Sequence, residues 1–291
     1  MSTQAVLFDI PGPKAKRRIM LGNILGALIV LGVLAVAVNG LAEKNQFTAA
    51  KWTPFLEWDT WRYSLLPGLL ETLRAAGVAV VTSIAFGLLF GFGRLSALAP
   101  VRWICGVVVE FLRAVPVLLM MIFLYQFLSK STPVEPASVP FLAVVIALTL
   151  YNGSVIAELV RSGVFGLPRG QREAGLAIGL TPAQSLRSIE IPQALVAMLP
   201  ALLGQFVVIL KDSALGYIIG YTDLLANAQR LGAGAGNVLP ALLVAALIFI
   251  LINMLLTFSA QRLSRLLGAR SGKLLEREEV LDPEGAEAPI K

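Results

Sequence analysis

Six long runs of apolar residues constrain this chain more than any other feature of its sequence. Each run approaches or exceeds the roughly 20 apolar residues that one helix needs to cross the hydrocarbon core of a membrane. The 291 residues are 57% hydrophobic and 14% charged, whereas an average soluble domain has about 25% charged residues. We therefore expect an all-α, polytopic membrane helical bundle with about six transmembrane helices. The predicted spans are 20–41, 75–92, 103–128, 139–160, 194–220 and 238–258.

The first run is too long for a secretory signal peptide, and no small-residue cleavage site follows it closely. We divide the chain into an N-terminal tail (1–19), a first transmembrane helix (20–42), a core (65–262) and a C-terminal tail (263–291). Residues 1–16 and 270–291 hold few apolar residues, so we expect them to stay mobile. Within the core, Gly87 and Gly91 make a small-xxx-small pair, which predicts close packing of two helices.

The distribution of Lys and Arg predicts the orientation. With the N-terminus inside, sixteen of the 24 basic residues fall in cytoplasmic segments and five in external ones. Cytoplasmic loops of membrane proteins carry such an excess. We therefore expect both termini in the cytoplasm, together with the segment 169–193.

The composition argues against several classes of protein. Histidine is absent and Cys105 is the single cysteine, which removes the usual proton shuttle, an internal disulfide and the common metal sites. We expect no catalytic residue, no metal and no cofactor bound by this chain. The net charge of +6 is explained by the basic cytoplasmic loops, so we expect contact with membrane lipid and no nucleic-acid binding.

The segment RGQREAGLAIGLTPAQSLRSIEIPQ at 169–193 is unusually polar for this chain. Residues 171–178 predict a short helix that ends at Gly179, because glycine adopts the left-handed conformation common at helix ends. Thr181, Pro182 and Gln184 form a capping-box pattern for a second helix, over 182–190. The residues alone leave two interpretations open, a helical hairpin lying on the lipid headgroups or a docking element for a partner.

Several motifs in this region resemble those of a known family. Glu173-Ala174-Gly175, Gly179 and Ile191-Pro192 resemble the EAA loop of ABC-importer permeases, with glycine at 175 where that pattern has alanine. Four flanking runs resemble motifs of the polar amino-acid permeases: FLRAVP at 111–116, AELVRSG at 157–163, GQREA at 170–174 and KDSAL at 211–215. The last run differs from the family's KDTSL at two positions. The chain thus resembles a permease subunit of a polar amino-acid ABC importer, and most closely the glutamate permeases.

This resemblance implies a type I ABC-importer-like permease core in the cell membrane. The second short helix would be the coupling helix, which docks on a separate ATPase subunit and moves the spans as the ATPases close. It also implies a second permease subunit, identical or different, and an external solute-binding protein. No phosphate-binding loop is present in the sequence, so ATP would be used by the partner and this chain would not be an enzyme. The coupling residues would be Glu173, Ala174, Gly175, Gly179, Thr181, Pro182, Gln184, Ile191 and Pro192.

Polar residues inside the spans are candidates for the substrate path, because ionisable groups in membranes are commonly functional. They are Asn152, Glu158, Gln205, Lys211 and Asp212. Two structural alternatives stay open: Lys211 and Asp212 can brace an irregular helix by pairing with neighbours, and Glu158 can pair with Arg161 on the same helical face. A self-contained secondary transporter or channel would also use such charges, but it leaves the capped loop unexplained. An intramembrane enzyme would need a nucleophile and base, or metal ligands.

Overall fold

The computed structural model describes residues 12–281, except for the side chains of 169, 263 and 265–281. Residues 1–11 and 282–291 of the two expected tails lie outside this part. The elements are α1 (Pro13–Glu43), α2 (Ala49–Trp52), a 3-10 helix (Thr53–Leu56), α3 (Trp58–Thr60), a π-helix (Trp61–Leu65), α4 (Leu66–Arg94), α5 (Ala99–Ala114), α6 (Val117–Ser131), a 3-10 turn (Pro136–Ser138), α7 (Val139–Phe165), α8 (Arg169–Ala177), α9 (Pro182–Ser185), a second π-helix (Leu186–Glu190), α10 (Ile191–Ser213), a 3-10 helix (Ala214–Ile219), α11 (Leu224–Ala235) and α12 (Val238–Leu281).

The described residues confirm the all-α class and the number of spans. Five helical segments are long and apolar enough to cross a membrane, and there are six if the bent pair α5 and α6 forms one span. The helices extend beyond the apolar runs, and α12 continues to Leu281, into the region expected to be a mobile tail. α1 has no buried residue, so its apolar surface is available to lipid or to another subunit.

The third predicted span is divided between two helices in the structure. α5 and α6 meet at an angle of 98°. Val115 between them is extended, with φ −84° and ψ 125°. The following residue is Pro116, whose ring disfavours helical backbone at the preceding residue and which has no N–H to donate. The apolar run is therefore continuous in sequence but broken in space.

α7 forms the centre of the bundle and packs against α4, α6 and α10. Gly87 and Gly91 lie where α4 meets α7. A Cβ atom on Gly91 would lie 2.8 Å from the Val160 Cβ atom, and one on Gly87 would lie 2.6 Å from the Ile156 Cβ atom. This close approach confirms the packing predicted from the glycine pair. α7 runs through the bundle, so its first residues lie at one end and the 169–193 segment, which follows its last residues, lies at the other end.

Candidate functional site

The segment between α7 and α10 folds into the two short helices that the sequence predicted. α8 starts at Arg169, two residues earlier than expected, and ends before Gly179, which has a φ of +88°. The Gly179 amide donates to the Leu176 carbonyl at 3.0 Å, and the Leu180 amide donates to the Gly175 carbonyl at 3.1 Å. These paired bonds are the Schellman ending of a helix. The prediction of a left-handed glycine that ends the helix is confirmed.

The second helix begins with the predicted capping box. The backbone N–H of Gln184 donates to Thr181 Oγ1 at 3.3 Å, and the backbone N–H of Thr181 donates to Gln184 Oε1 at 2.9 Å. Pro182 follows in the first turn. α9 then continues through the π-helix into α10, so Ile191 and Pro192 lie within a continuous helical run. The second short helix is therefore the direct helical continuation of a membrane-span candidate.

A buried contact packs α8 against the second helix. Ser185 is fully buried, and its Oγ donates to Oε1 of the buried Glu190 at 3.0 Å. A Cβ atom on Gly175 would lie 2.8 Å from Ser185 Oγ and 3.0 Å from Ile189 Cδ1. This contact accounts for glycine where the family pattern has alanine. Ser185 and Glu190 were not predicted as part of the site, although the glycine substitution was a signal that a larger neighbour faces position 175.

The outer surface of this two-helix arm (residues 169–190) combines charge with exposed apolar side chains. Ile178 is 77% exposed and Leu176 is 41% exposed. Glu173 is also exposed, but it is the fifth residue of α8 and not part of its first turn. The helix dipole therefore does not stabilise Glu173, because that effect is confined to the first turn. Ile178 and Leu176 were missed as candidates, although isoleucine in a polar turn was visible in the sequence.

Glu158 is the centre of an ion cluster that joins α4, α5 and α7. Its carboxylate accepts hydrogen bonds from Arg161 Nη2 at 2.6 Å and from Arg94 Nη1 at 2.7 Å, and it lies 3.5 Å from Arg113 Nη1. The expected pairing with Arg161 is present. Arg94 lies two residues beyond the predicted span 75–92, but only 8% of its side chain is exposed. The three arginines already satisfy Glu158, which favours its structural interpretation.

Asn152 and Gln205, two of the candidate path residues, meet between α7 and α10. Gln205 Nε2 donates to Asn152 Oδ1 at 2.5 Å, and Asn152 Nδ2 donates to the Leu148 carbonyl at 3.1 Å. Asn152 is fully buried, whereas Gln205 is partly exposed. Gln205 is therefore the member of the pair with surface outside the single subunit.

Lys211 and Asp212 lie in the last turn of α10. Lys211 is exposed and Asp212 is half-buried. Among the side chains that the structure describes, neither forms an ion pair or a hydrogen bond. The expected bracing of the helix by pairing with neighbours is therefore not seen within this subunit.

Comparison with known proteins identifies related chains. The family described as "Binding-protein-dependent transport system inner membrane component" matches residues 83–269. The glutamate transport system permease protein GluD of Corynebacterium glutamicum is 46% identical over 229 residues, which cover 79% of this chain and 84% of that protein. The glutamate/aspartate import permease protein GltK of Escherichia coli O6:H1 is 31% identical over 65% of this chain and 87% of its own length.

Two of the solved structures that resemble this chain are also from transporters. A chain from a crystal structure of an amino acid ABC transporter with histidines superimposes with a TM-score of 0.64 at 28% identity, covering 69% of this chain and 92% of that chain. An inward-facing chain of the MetNI methionine ABC transporter superimposes with a TM-score of 0.61 at 21% identity. The second comparison concerns the fold alone.

Proposed function

This chain belongs to the binding-protein-dependent transport system inner membrane components, and from that premise we propose that it carries glutamate into the cell as one permease subunit of an ATP-driven importer. The chain is a membrane permease and not an enzyme, since ATP hydrolysis in this family is performed by a partner ATPase. Glutamate is proposed because the 46% identical relative is a glutamate permease.

The observation that supports coupling to ATP is the construction of the two-helix arm. Its turns are fixed by the Gly179 ending and the Thr181–Gln184 capping box, and its two helices pack through Gly175 and Ser185. The exposed Ile178 offers an apolar contact for the ATPase. Because α9 is continuous with α10, rigid-body movement of the docked arm would tilt a membrane span.

The remaining partners and the path follow from the same proposal. An external solute-binding protein would deliver glutamate, and a second permease subunit, identical or different, would complete the path. Gln205, Lys211 and Asp212 have surface that such a second subunit can face. Both termini and the two-helix arm are proposed to lie in the cytoplasm, in agreement with the excess of basic residues there.

Reconstitution tests this proposal against the alternative of a self-contained transporter. Proteoliposomes would contain the permease, its ATPase and the second permease subunit, and would be supplied with the solute-binding protein and radiolabelled glutamate. We expect uptake with internal ATP and background counts with ADP. Uptake that follows an ion gradient and is unchanged by ADP would show a secondary transporter and overturn the proposal.

A further inference from the structure

A polar cavity lies at the end of the bundle opposite the two-helix arm. Its volume is about 250 Å3, below the roughly 300–1,000 Å3 typical of pockets for drug-sized ligands and suited to a molecule as small as one amino acid. It lies between α4, the start of α7 and the segment that joins α10 to α11. Its lining includes Glu71, Arg74, Ser138, Phe141, Tyr221 and Thr222.

Glu71 and Arg74 place opposite charges side by side in this cavity. Arg74 Nη1 lies 3.3 Å from Glu71 Oε2, and 60% of the Arg74 side chain and 35% of the Glu71 side chain remain exposed. An exposed ion pair three residues apart on one helix contributes little to stability, about 0–1 kcal/mol. Stability alone is therefore a weak explanation for this pair of charges.

The neighbouring aromatic residues hold both charged groups in place. Tyr221 is 4% exposed, and its hydroxyl lies 3.0 Å from Glu71 Oε2 and 2.7 Å from the Glu71 carbonyl, to either of which it can donate. The Arg74 guanidinium lies over the Phe141 ring at 4.5 Å from its centroid. Tyr221 and Phe141 are themselves in contact, with ring centroids 6.1 Å apart. Both charged groups are thus in contact with the same pair of aromatic residues.

Arg74 retains unused donors. Among the side chains that the structure describes, Arg74 donates only through Nη1, and only to Glu71. A guanidinium has five N–H donors and binds a carboxylate through two of them in parallel. The side of Arg74 that faces the cavity can therefore take a second carboxylate without breaking the contact with Phe141.

We propose that this cavity is a subsite for a zwitterionic α-amino acid, in which Arg74 binds the α-carboxylate and Glu71 binds the α-ammonium group. The inference rests on the proposed function, because it concerns the entry of that substrate. A simple anion would meet the repulsion of Glu71, and a simple cation that of Arg74. A zwitterion satisfies both charges, and the Ser138 and Thr222 hydroxyls remain for its side chain.

Saturation-transfer NMR on the complete permease–ATPase complex in nanodiscs, without the solute-binding protein, tests the subsite with two probes. L-Glutamate carries the α-ammonium group, whereas glutarate has the same carbon chain and both carboxylates but no ammonium group. Loss of one charge-assisted contact weakens binding by about tenfold. We expect glutamate to bind the wild type about tenfold more tightly than glutarate does.

Single substitutions assign each charge. Glu71→Gln should lower the affinity for glutamate to that for glutarate and leave the affinity for glutarate undiminished. Arg74→Gln should lower the affinity for both probes. Arg62→Gln is the matched control, because Arg62 also lies over an aromatic ring, that of Tyr63 at 5.5 Å, but outside the cavity. Basal ATP hydrolysis reports assembly of each complex, and Arg74→Lys, which keeps the charge, replaces Arg74→Gln if the latter does not assemble.

The outcomes separate this inference from the proposed function. Equal binding of glutamate and glutarate by the wild type, or unchanged glutamate binding by Glu71→Gln, would overturn the subsite even in a complex that transports glutamate. Selective glutamate binding that is lost in Glu71→Gln would support the subsite. If that same complex showed no ATP-driven uptake, the proposed function alone would fail.

Discussion

Gly175 and Ser185 lie so close together that a Cβ atom on Gly175 would come within 2.8 Å of the Ser185 Oγ atom. The contact joins the two short helices of the two-helix arm, and Ser185 is in turn tied to the buried Glu190. The arm is therefore a packed unit whose spacing depends on the absence of a side chain at one position.

Gly175→Ala should separate the two helices and reduce substrate-stimulated ATP hydrolysis, because overpacking typically costs about 1–3 kcal/mol. Ser185→Gly removes the nearest obstructing atom, so the double variant should recover part of the lost stimulation. Ser185→Gly alone measures the cost of losing the bond to Glu190. If Gly175→Ala is as active as the wild type, the spacing of the arm does not matter.

Glu158→Gln should destabilise the subunit, because it removes the carboxylate that pairs with the buried Arg94. We expect a loss near the lower end of the about 3–5 kcal/mol seen for broken buried ion pairs, since 21% of the Glu158 side chain is exposed. Glu110→Gln is the matched control: Glu110 contacts the same arginine at 3.4 Å but is 71% exposed, so its loss should cost about 0–1 kcal/mol. The midpoint of thermal unfolding in detergent measures both. Equal shifts for the two variants would contradict the central place of Glu158.

Asn152→Leu or Gln205→Leu alone should destabilise the bundle by about 1–3 kcal/mol, because each leaves its partner amide unsatisfied. The double Leu variant should regain most of that stability. We expect it not to regain uptake, because the partly exposed Gln205 is proposed to line the path. Full uptake by a stable double variant would show that the pair is only structural.

Labelling of a single cysteine at Ala183 tests the orientation. Ala183 is exposed on the arm, whereas Ser185, the other small residue nearby, is fully buried and would resist labelling from either side. With Cys105 replaced, a membrane-impermeant maleimide added to intact cells should fail at position 183. It should label a cysteine at Leu56, which is 86% exposed in the opposite loop. Labelling of position 183 from outside would show that the orientation is the opposite of the proposed one.

The parts of the structure that the sequence predicted are those governed by local rules. Gly179 and the Thr181–Gln184 box are recognisable because their hydrogen bonds join residues at most four or five positions apart. The break at Pro116 was also local in origin, but hydropathy averages over a window and does not register one proline in an apolar run.

The parts that the sequence did not predict depend on contacts between distant segments. The sequence around Arg94 indicates a charged loop residue, and only the structure shows its contact with Glu158, 64 positions away. The cavity around Arg74 likewise requires Tyr221, which is 150 positions from Glu71. Neither of these sequence separations follows a helix or strand periodicity. Each contact depends on how α4 packs against α7 and against the segment after α10.

The central claim is that the two-helix arm transmits the ATPase movement to the spans, and Gly179→Val tests it directly. A valine at a φ of +88° would strain the turn by about 1–2 kcal/mol and redirect the helix that begins at Pro182. Gly170→Val is the matched control in the same arm, because Gly170 is exposed, has no neighbour within 4 Å and lacks a positive φ. The measurement is ATP hydrolysis by the reconstituted complex with and without the substrate-loaded binding protein. We predict that Gly179→Val inserts normally but loses the stimulation that Gly170→Val retains; full stimulation in Gly179→Val would show that the arm is a passive connector.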